Sequence, residues 1–328
     1  MAVTSHDTSH ERMDHYDGCQ TTPDYPTNFA DLDYCLTRDV YDAVHPLVKG
    51  SEDVNFRQKC LTATKTYKLG TPVPRMVYPD FQRQTWSKVF TRLTELYPIH
   101  ACKKFNQLFS PFVEACGIDA DHVPDIETVS SYLQRRTSFR LRPVSAFIEP
   151  RDFLAALAFR VFCCSQFIRH DDASFFTSEP DIVHDVLGHA VLLCDPDFAQ
   201  FSQDMGLASL GASDTILDKI ASIYSSTIEA GLCMEGSDIK AFGALLLSGA
   251  AELQHVFTDQ VIGRPLVAKE AGFMPAIDLS KYQDVYYVAE SLGDAQHVAR
   301  VFVNGLTGKL NLKYNLESNV IERLDAKW

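Results

Sequence analysis

Apolar residues recur every three or four positions from about Leu32 onward, which is the period of an α-helix. The longest such stretch, Asp152 to His170, is apolar on most of its circumference and predicts a buried central helix. Further helices are predicted from Ser213 or Asp214 through Ile228 and from about Lys240 to Phe257. Another begins at Asp195-Pro196, where proline suits the first helical position.

The period changes near the C-terminus. Leu310, Leu312 and Tyr314 alternate with polar residues, and a polar turn separates them from Val320 to Leu324, which predicts a β-hairpin. Residues 1–30 are polar and without period, so a disordered lead is expected there. No linker divides residues 31–328, which favours one domain. The fold class predicted is therefore mostly α with a small C-terminal β-hairpin.

The composition narrows the possible partners and the compartment. The chain has 43 acidic and 30 basic residues, a formal charge of −13, and no basic run, which argues against binding to nucleic acid or an anionic membrane. Its longest apolar stretches, residues 153–164 and 241–251, are shorter than the roughly 20 residues of a membrane span. The nine cysteines include no CxxC pair, and no apolar signal segment opens the chain. Reduced thiols and a cytoplasmic location are expected.

Two histidines five residues apart, His184 and His189, lie in an apolar segment. Imidazole is a common ligand of zinc, iron and copper. Five residues rotate an α-helix by about 140°, so both rings can bind one ion only if the helix widens to a π-like turn or ends there. Gly188 makes that distortion easy. His10 and His15 have the same spacing in the polar lead, so spacing alone is weak evidence.

Glu229 is the candidate for a third ligand from another element. It follows Ile228 at the buried side of a predicted helix, where a carboxylate needs an arginine partner or a metal. Two histidines and one carboxylate are the facial triad of non-haem Fe(II) oxygenases. A zinc hydrolase with the same ligands is the alternative, and Asp185 would then be its general base. The chain has no GxSxG, P-loop or GxGxxG motif.

Several long motifs extend through the chain between about residues 35 and 325. They include Phe139-Arg-Leu-Arg-Pro-Val144, Leu157-Ala-Phe-Arg-Val-Phe162, Glu179-Pro-Asp181, Leu187-Gly-His189, Gly206-Leu-Ala-Ser-Leu-Gly-Ala212, Glu229 with Gly231-Leu-Cys233, and Tyr287-Val-Ala-Glu-Ser291. With almost no gaps, this sequence resembles the catalytic domain of the pterin-dependent aromatic amino acid hydroxylases, the phenylalanine, tryptophan and tyrosine hydroxylases.

The resemblance implies an oxidoreductase that holds Fe(II) by His184, His189 and Glu229. Tetrahydropterin and O2 would be its co-substrates, and one oxygen atom would be inserted into the ring of a free amino acid. A monomer or homodimer is expected, because the regulatory domain and the long C-terminal helix of many relatives have no counterpart in residues 1–328.

The resemblance also assigns residues to the pterin and the substrate. Pterin contacts are expected from Val144, Ala146, Phe147, Ile148, Phe153, Asp185 and Tyr224, with Phe153 stacking on the pterin and Tyr224 near the iron. Substrate contacts are expected from Arg169, Thr177, Pro180, Ser225, Ala230 and Ser248. Arg169 would pair with the substrate carboxylate, and the alternative is a structural salt bridge.

This chain departs from the family pattern in its pocket. Asp185 stands where relatives usually have Glu, and Ser225 and Ala230 stand where relatives have large aromatic side chains beside the substrate ring. An empty void of that size would cost several kcal/mol, about the cost of removing one buried aromatic side chain. Leu245 and Phe147 are candidates to fill it; otherwise the substrate is larger, or a water-filled pocket signals lost activity.

Three functions follow from these observations. The first is hydroxylation of an aromatic amino acid, with a modest preference for a tryptophan-sized substrate, because segments such as Pro150-Arg-Asp152 and Gly211-Ala-Ser213 are similar to the tryptophan-hydroxylating branch. The second is the same chemistry on an unusual or bulkier amino-acid derivative, or at a different carbon. The third is a zinc hydrolase or an inactive binding paralogue.

Overall fold

The computed structural model of the protein describes residues 23–38, 50–145, 148–176, 178–270, 274–275, 277–307 and 311–324. Its α-helices are α1 (Phe29–Arg38), α2 (Gly50–Thr66), α3 (Asp80–His100), α4 (Lys103–Cys116), α5 (Ile126–Thr137), α6 (Pro150–Ala158), α7 (Val191–Leu193), α8 (Pro196–Ser209), α9 (Asp214–Tyr224), α10 (Ala244–Ser248), α11 (Ala250–His255) and α12 (Leu292–Thr307). A first π-helix spans Val183–Ala190 and a second spans Ser225–Glu229.

The strands are short and form three small sheets. They are β1 (Arg140–Val144), β2 (Val161–Ser165), β3 (Leu232–Glu235), β4 (Asp238–Ala241), β5 (Ile262–Pro265), β6 (Val285–Ala289), β7 (Leu312–Asn315) and β8 (Val320–Arg323). β1 pairs with β2, the order of the largest sheet is β4-β3-β6-β5, and β7 pairs with β8. The mostly α fold with a C-terminal hairpin is confirmed.

Aromatic side chains of α3 and α4 form much of the main core. Trp86, Tyr97, Phe105 and Phe112 are buried, and the rings of Tyr97 and Phe105 pack edge to face with centroids 4.7 Å apart. The Tyr97 hydroxyl donates a hydrogen bond of 2.6 Å to the Leu247 carbonyl. This bond ties α3 to α10, which supports the site described below.

The predicted helix from Asp152 to His170 is wrong in its second half. Helix α6 ends at Ala158, Arg160 adopts φ 53°, and the chain continues as β2, which pairs with β1 in parallel. The Arg160 side chain holds this corner by donating to Gln203 Oε1 at 2.9 Å and to the Thr137 carbonyl. A parallel strand buried on both faces is a continuous apolar run, so periodicity alone does not separate it from a buried helix.

The predicted helix from Lys240 to Phe257 is shorter and divided. Its first residues belong to β4, and Gly249, with φ −118° and ψ 89°, separates α10 from α11. At this break the Ala251 amide donates to the Phe175 carbonyl at 2.8 Å. The break therefore joins α11 to the loop after β2.

Two predicted helix starts are confirmed. Helix α8 begins with Pro196, and the Asp195 side chain accepts the Phe198 amide at 3.1 Å, an N-cap that stabilises the first turn. Helix α9 begins at Asp214, directly after Ser213. Its predicted extension through Ile228 exists as the second π-helix.

The C-terminal hairpin packs on the first described residues. Tyr314 of β7 stacks on Phe29 with ring centroids 6.1 Å apart, and Asn28 forms a β-bridge with Val320. Residues 23–30 of the predicted lead thus make defined contacts with the helical unit, and residues 1–22 lie outside the described residues.

Within the described ranges, no helix has both the length and the apolar character needed to cross a bilayer. Eight of the nine cysteines are described, none of these eight is in a disulfide, and Cys19 lies outside the described residues.

Candidate active site

The first π-helix brings the two histidines onto one face. Its hydrogen bonds join residues five apart, so side chains at that spacing point the same way. The Nε2 atoms of His184 and His189 lie 3.0 Å apart, and both rings are buried. Of the two arrangements that the sequence left open, a widened turn or a helix end, the structure has the widened turn.

Gly188 allows the first π-helix to lie directly on α10. A Cβ atom at this position would be 2.7 Å from the Ala244 carbonyl oxygen and 3.0 Å from the Ala244 Cβ. A larger residue would push the two elements apart, so glycine fixes how closely the histidine-bearing helix approaches its support.

The second π-helix places Glu229 opposite the histidines. Glu229 Oε2 is 3.3 Å from His184 Nε2, and Oε1 is 3.2 Å from His189 Nε2. The Ala230 amide donates to the Ser225 carbonyl at 3.0 Å, the five-residue bond of this turn. Sequence periodicity placed Glu229 near the buried side of the helix but did not indicate that the turn there is widened.

The electrostatics of the site keep Glu229 ionised. Burial by itself opposes ionisation, but the imidazoles of His189 and His184 outweigh it and lower the pKa of Glu229 below its ordinary value. Burial raises the pKa of the neighbouring Tyr224 hydroxyl well above its ordinary value, and the negative charge of Glu229 adds to this effect.

The three side chains fit a metal ion. One ligand atom from each of His184, His189 and Glu229 lies within 4.8 Å of the others. The lone pairs of two imidazole nitrogens 3.0 Å apart would repel each other unless a proton or a cation lay between them. The donor set, two neutral nitrogens and one carboxylate, suits iron or zinc.

Ser248 orients the first histidine. Its hydroxyl donates to the Ala244 carbonyl at 2.7 Å and lies 3.0 Å from His184 Nδ1, so it accepts the hydrogen bond from that nitrogen. With the proton on Nδ1, His184 Nε2 presents its lone pair to the other two ligands.

An ion pair lies directly behind the histidines. Arg169 donates from Nε and Nη2 to the two oxygens of Asp181 at 2.9 and 2.6 Å, and both residues are buried. Burial opposes ionisation of Asp181, but Arg169 outweighs it and lowers the pKa of this carboxyl. Asp181 also accepts the His184 amide at 3.0 Å, and Arg169 donates to the Ser248 carbonyl at 2.8 Å. The ion pair thus contacts the backbone of the ligand His184 and of Ser248, the residue that binds its ring.

Two cavities border the second π-helix, and only the first contains the metal ligands. The metal-side cavity, about 380 Å³, is mostly apolar and is lined by Val144, Ile148, Pro150, Phe153, Leu154, Phe162, Cys163, Ser165, Pro180, His184, Asp185, His189, Ala221, Tyr224, Ser225, Glu229, Leu245, Ile277 and Leu279. The second cavity, about 250 Å³, is more polar and is lined by Ser226, Ala230, Pro275, Ile277, Asp278, Lys281, Gln283, Asp284, Val285, Tyr286 and Tyr287.

Comparison with known proteins identifies the family. The family model of the biopterin-dependent aromatic amino acid hydroxylases matches residues 23–328. The chain belongs to this family. Phenylalanine-4-hydroxylase of Rattus norvegicus is 41% identical over 310 residues, which are 93% of this chain and 68% of that protein. Tryptophan 5-hydroxylase of Xenopus laevis is 39% identical over 304 residues, 91% of this chain and 63% of that protein.

A solved structure agrees with this assignment. Phenylalanine hydroxylase from Legionella pneumophila superposes with a TM-score of 0.64 at 25% identity and covers 71% of this chain and 91% of its own. The protein is therefore a biopterin-dependent aromatic amino acid hydroxylase, a monooxygenase that uses non-haem iron, tetrahydropterin and O2. The zinc hydrolase considered from the sequence does not agree with this membership.

The residues that the resemblance assigns to the hydroxylase's pterin lie together where they are described. Val144, Ile148, Phe153, Asp185 and Tyr224 all line the metal-side cavity. The Phe153 ring meets the Tyr224 ring edge to face, with centroids 5.6 Å apart. The other two assigned residues, Ala146 and Phe147, lie outside the described residues.

Asp185 is held inside the cavity wall of the hydroxylase. Its Oδ2 accepts the Ser165 amide at 2.6 Å. Burial raises the pKa of Asp185 to about 7, although the Ser165 hydrogen bonds and His189 oppose this shift. The shorter side chain at this position therefore has a backbone partner of its own.

The residues assigned to the substrate do not all lie in one cavity. Pro180 and Ser225 line the metal-side cavity, whereas Ala230 lines the second cavity. Arg169 and Ser248 are buried behind the metal-side cavity without lining it. Thr177 lies outside the described residues. Leu245, named from the sequence as a candidate to fill the void, does line the metal-side cavity.

Sequence reasoning missed several residues of the hydroxylase cavity. Phe162 packs on His189 with ring centroids 4.7 Å apart, and Ser165 binds Asp185. Both belong to β2, which the periodicity predicted as helix, so their orientation had no signal in the sequence. Ile277 and Leu279 approach from a distant loop, and nothing local to them indicates a cavity.

Proposed function

We propose that His184, His189 and Glu229 hold the iron of this hydroxylase, and that the enzyme hydroxylates a free aromatic amino acid, with a preference for a tryptophan-sized ring. The observation that carries this proposal is the buried triad, with its three ligand atoms within 4.8 Å on two π-helices. Iron supplies, together with the pterin, the activation of O2 for insertion of one atom into the ring.

The protein's part in this reaction is to orient and to exclude water. Ser248 holds the His184 ring by its Nδ1 proton, and Asp181 holds the amide of the same residue. Mostly apolar walls of the metal-side cavity keep bulk solvent away from the reacting groups.

We assign the pterin to the side of the metal-side cavity formed by Phe153, Asp185 and the backbone between Val144 and Ile148. Phe153 offers an aromatic surface for stacking, and its ring is braced edge to face by Phe162 and Tyr224. Buried Asp185 offers a hydrogen-bonding group beside this surface.

We assign the substrate carboxylate to Arg169. Its guanidinium plane is fixed by both oxygens of Asp181, and a fixed guanidinium suits bidentate binding of a second carboxylate. A purely structural ion pair would have the same geometry. The two roles differ in kinetics: Arg169→Lys should raise KM for the amino acid far more than KM for the pterin if Arg169 binds substrate.

The preference for a tryptophan-sized ring rests on Ser225. This small side chain lines the metal-side cavity beside Glu229 and leaves room next to the metal ligands. The same observation favours a second candidate function, hydroxylation of a bulkier amino-acid derivative or at a different carbon. Relatives of comparable identity are named for phenylalanine and for tryptophan, so identity does not separate these substrates.

The test begins with anaerobic reconstitution of the protein with Fe(II). Oxygen is then admitted with tetrahydropterin and a panel of amino acids, and the products are identified by mass. We expect pterin oxidation coupled to a product 16 Da heavier than its amino acid, which is the mass of one oxygen atom. Uncoupled or absent turnover with phenylalanine, tyrosine and tryptophan would contradict the proposed substrate class.

We also propose that the enzyme is cytoplasmic, since none of its eight described cysteines forms a disulfide, as expected in a reducing compartment. The monomer or homodimer expected from the sequence stays a prediction, and light scattering of the purified protein would test it.

A further inference from the structure

The two cavities lie on different faces of the second π-helix and the residue that follows it. Ser225 and Glu229 line the metal-side cavity, and Ser226 and Ala230 line the second cavity. Ala230 directly follows the helix with φ −120°, and its side chain is buried. The small residue at position 230 therefore opens space behind the π-helix and does not by itself enlarge the space beside the metal.

Ile277 lies between these two spaces. Among the described residues that line either cavity, it alone lines both. Asp278 borders only the second cavity and Leu279 only the metal-side cavity, so consecutive residues of this loop border different cavities. The Ile277 side chain is partly buried and packs on the main core. Ile277 therefore borders both the metal-side cavity of about 380 Å³ and the second cavity of about 250 Å³.

The metal-side cavity is small for a ligand pocket, at about 380 Å³. Ligand pockets typically have volumes of roughly 300–1,000 Å³ for one drug-sized ligand. Here about 380 Å³ must contain an aromatic side chain as well as the pterin. An aromatic ring larger than the space beside Ser225 would therefore need volume from beyond the cavity, and the second cavity behind Ile277 adjoins it.

We propose that Ile277 is a specificity-determining residue that sets the largest aromatic side chain the enzyme accepts. The inference rests on the proposed function, because it concerns the substrate of the same metal centre. With Ile277 in place, the enzyme accepts free amino acids whose side chain carries a single ring or an indole, and it rejects side chains of naphthyl size. Removing the Ile277 side chain would join the two cavities and admit the larger ring.

The test compares Ile277→Ala with the unaltered enzyme. The two readouts are the ratio of kcat/KM for 2-naphthylalanine to that for phenylalanine, and the Kd of each amino acid measured anaerobically in the presence of pterin. One methylene of difference in an apolar pocket changes discrimination between two substrates by roughly 10- to 200-fold. In Ile277→Ala we therefore expect the kcat/KM ratio, and the corresponding ratio of the two Kd values, to shift in favour of 2-naphthylalanine by about 10-fold or more. Ile277→Phe should shift discrimination in the opposite direction, because it should lower kcat/KM for tryptophan relative to kcat/KM for phenylalanine.

Two variants serve as controls. Val285→Ala enlarges only the second cavity and leaves Ile277 in place, so the substrate ratio should stay that of the unaltered enzyme. Adding Ala230→Phe to Ile277→Ala refills the second cavity from its other wall and should restore the original ratio. Thermal unfolding of each variant shows that it folds.

Equal ratios in Ile277→Ala and Val285→Ala would overturn the inference, as would an unaltered enzyme that binds 2-naphthylalanine as tightly as phenylalanine. Failure of the proposed function would be seen separately, as absent product from every amino acid. The anaerobic Kd values would still decide the role of Ile277 in that case, because they do not depend on turnover.

Discussion

Ser248 joins the ion pair and the metal centre through two of its own atoms. Its carbonyl accepts from Arg169 at 2.8 Å, and its hydroxyl accepts from His184 Nδ1 at 3.0 Å. Substitution of the side chain removes the hydroxyl but leaves the backbone carbonyl in place. Truncation at this position therefore tests the orientation of His184 with little direct effect on Arg169.

We predict that Ser248→Ala weakens Fe(II) binding roughly 10- to 100-fold, because a ligand histidine loses the partner that fixes its tautomer and ring plane. Competition with a chromogenic chelator under anaerobic conditions measures this. Ser209→Ala is the matched control: Ser209 is also buried and donates to a helix carbonyl, that of Gly206 at 2.7 Å, outside the site. An unchanged iron affinity in Ser248→Ala would contradict the role given to the hydroxyl.

Glu252 is a buried carboxyl outside the metal centre. Its Oε1 accepts the Tyr286 hydroxyl at 2.6 Å, and Oε2 has no hydrogen-bond partner among the described residues. Burial raises the pKa of Glu252 above its ordinary value of 4.5, and the bonds from Tyr286 and Gln283 only partly oppose this. The folded state therefore favours the protonated carboxyl more than the unfolded state does.

The raised pKa of Glu252 makes the stability of the protein depend on pH. The protonated carboxyl contributes fully to the free energy of unfolding below pH 4.5, and this contribution is lost as the pH rises through the raised pKa. Glu252→Gln keeps a carbonyl for Tyr286 and cannot ionise, so it should unfold at a higher urea concentration than the unaltered protein near neutral pH. The difference should shrink below pH 4.5. Glu317→Gln removes the same charge from an exposed position and is the control.

At the scale of elements, the metal centre depends on how closely the first π-helix approaches α10. We predict that Gly188→Ala lowers both the free energy of unfolding and the affinity for iron, because its Cβ would be 2.7 Å from the Ala244 carbonyl oxygen. Overpacking of this kind costs typically 1–3 kcal/mol, roughly the range that urea titration resolves. Chelator competition on the same samples gives the iron affinity.

Gly305→Ala is the control for that prediction. Gly305 lies in α12 and nothing lies within 4 Å of a Cβ placed there, so alanine should be neutral or stabilising by about 0.5–1 kcal/mol. If both variants had the same stability and iron affinity, the close contact between the first π-helix and α10 would not matter to the site.

Which elements could be predicted from sequence depended on whether their signal was local. Asp195-Pro196 is local cap chemistry and correctly predicted the start of α8. The two histidines with Gly188 predicted either a widened turn or a helix end, because a shared ligand role excludes a regular α-helix, and the structure has the widened turn. The apolar run after Asp152 did not reveal β2, because burial on both faces removes the alternation that marks a strand.

The side of the second π-helix that each small residue faces could not be predicted either. Ser225 and Ala230 flank Glu229 in sequence, yet they border different cavities. An α-helical period misplaces side chains in a widened turn, and Ile277 contributes from nearly fifty residues away. Long-range contacts of this kind have no signature in the local pattern.

For the whole molecule, the metal centre joins parts of the chain that are far apart in sequence. His184 and His189 lie on one π-helix and Glu229 on another, while α10 supports both the first π-helix and, through Leu247, helix α3. An ion bound to all three ligands therefore stabilises contacts across the core. The unfolded chain does not hold the three ligands together, so binding favours the folded state.

We predict that Fe(II) raises the thermal unfolding midpoint and that a chelator reverses the increase. A ligand at 100 times its Kd contributes about 2.7 kcal/mol, which for a protein of this size corresponds to roughly 4 °C. Anaerobic differential scanning calorimetry, with and without Fe(II), measures the shift. Glu229→Gln keeps the shape of the side chain but loses the charged ligand, so its midpoint should respond far less. An equal increase of the midpoint in both proteins would mean that iron stabilises the fold by binding at another site.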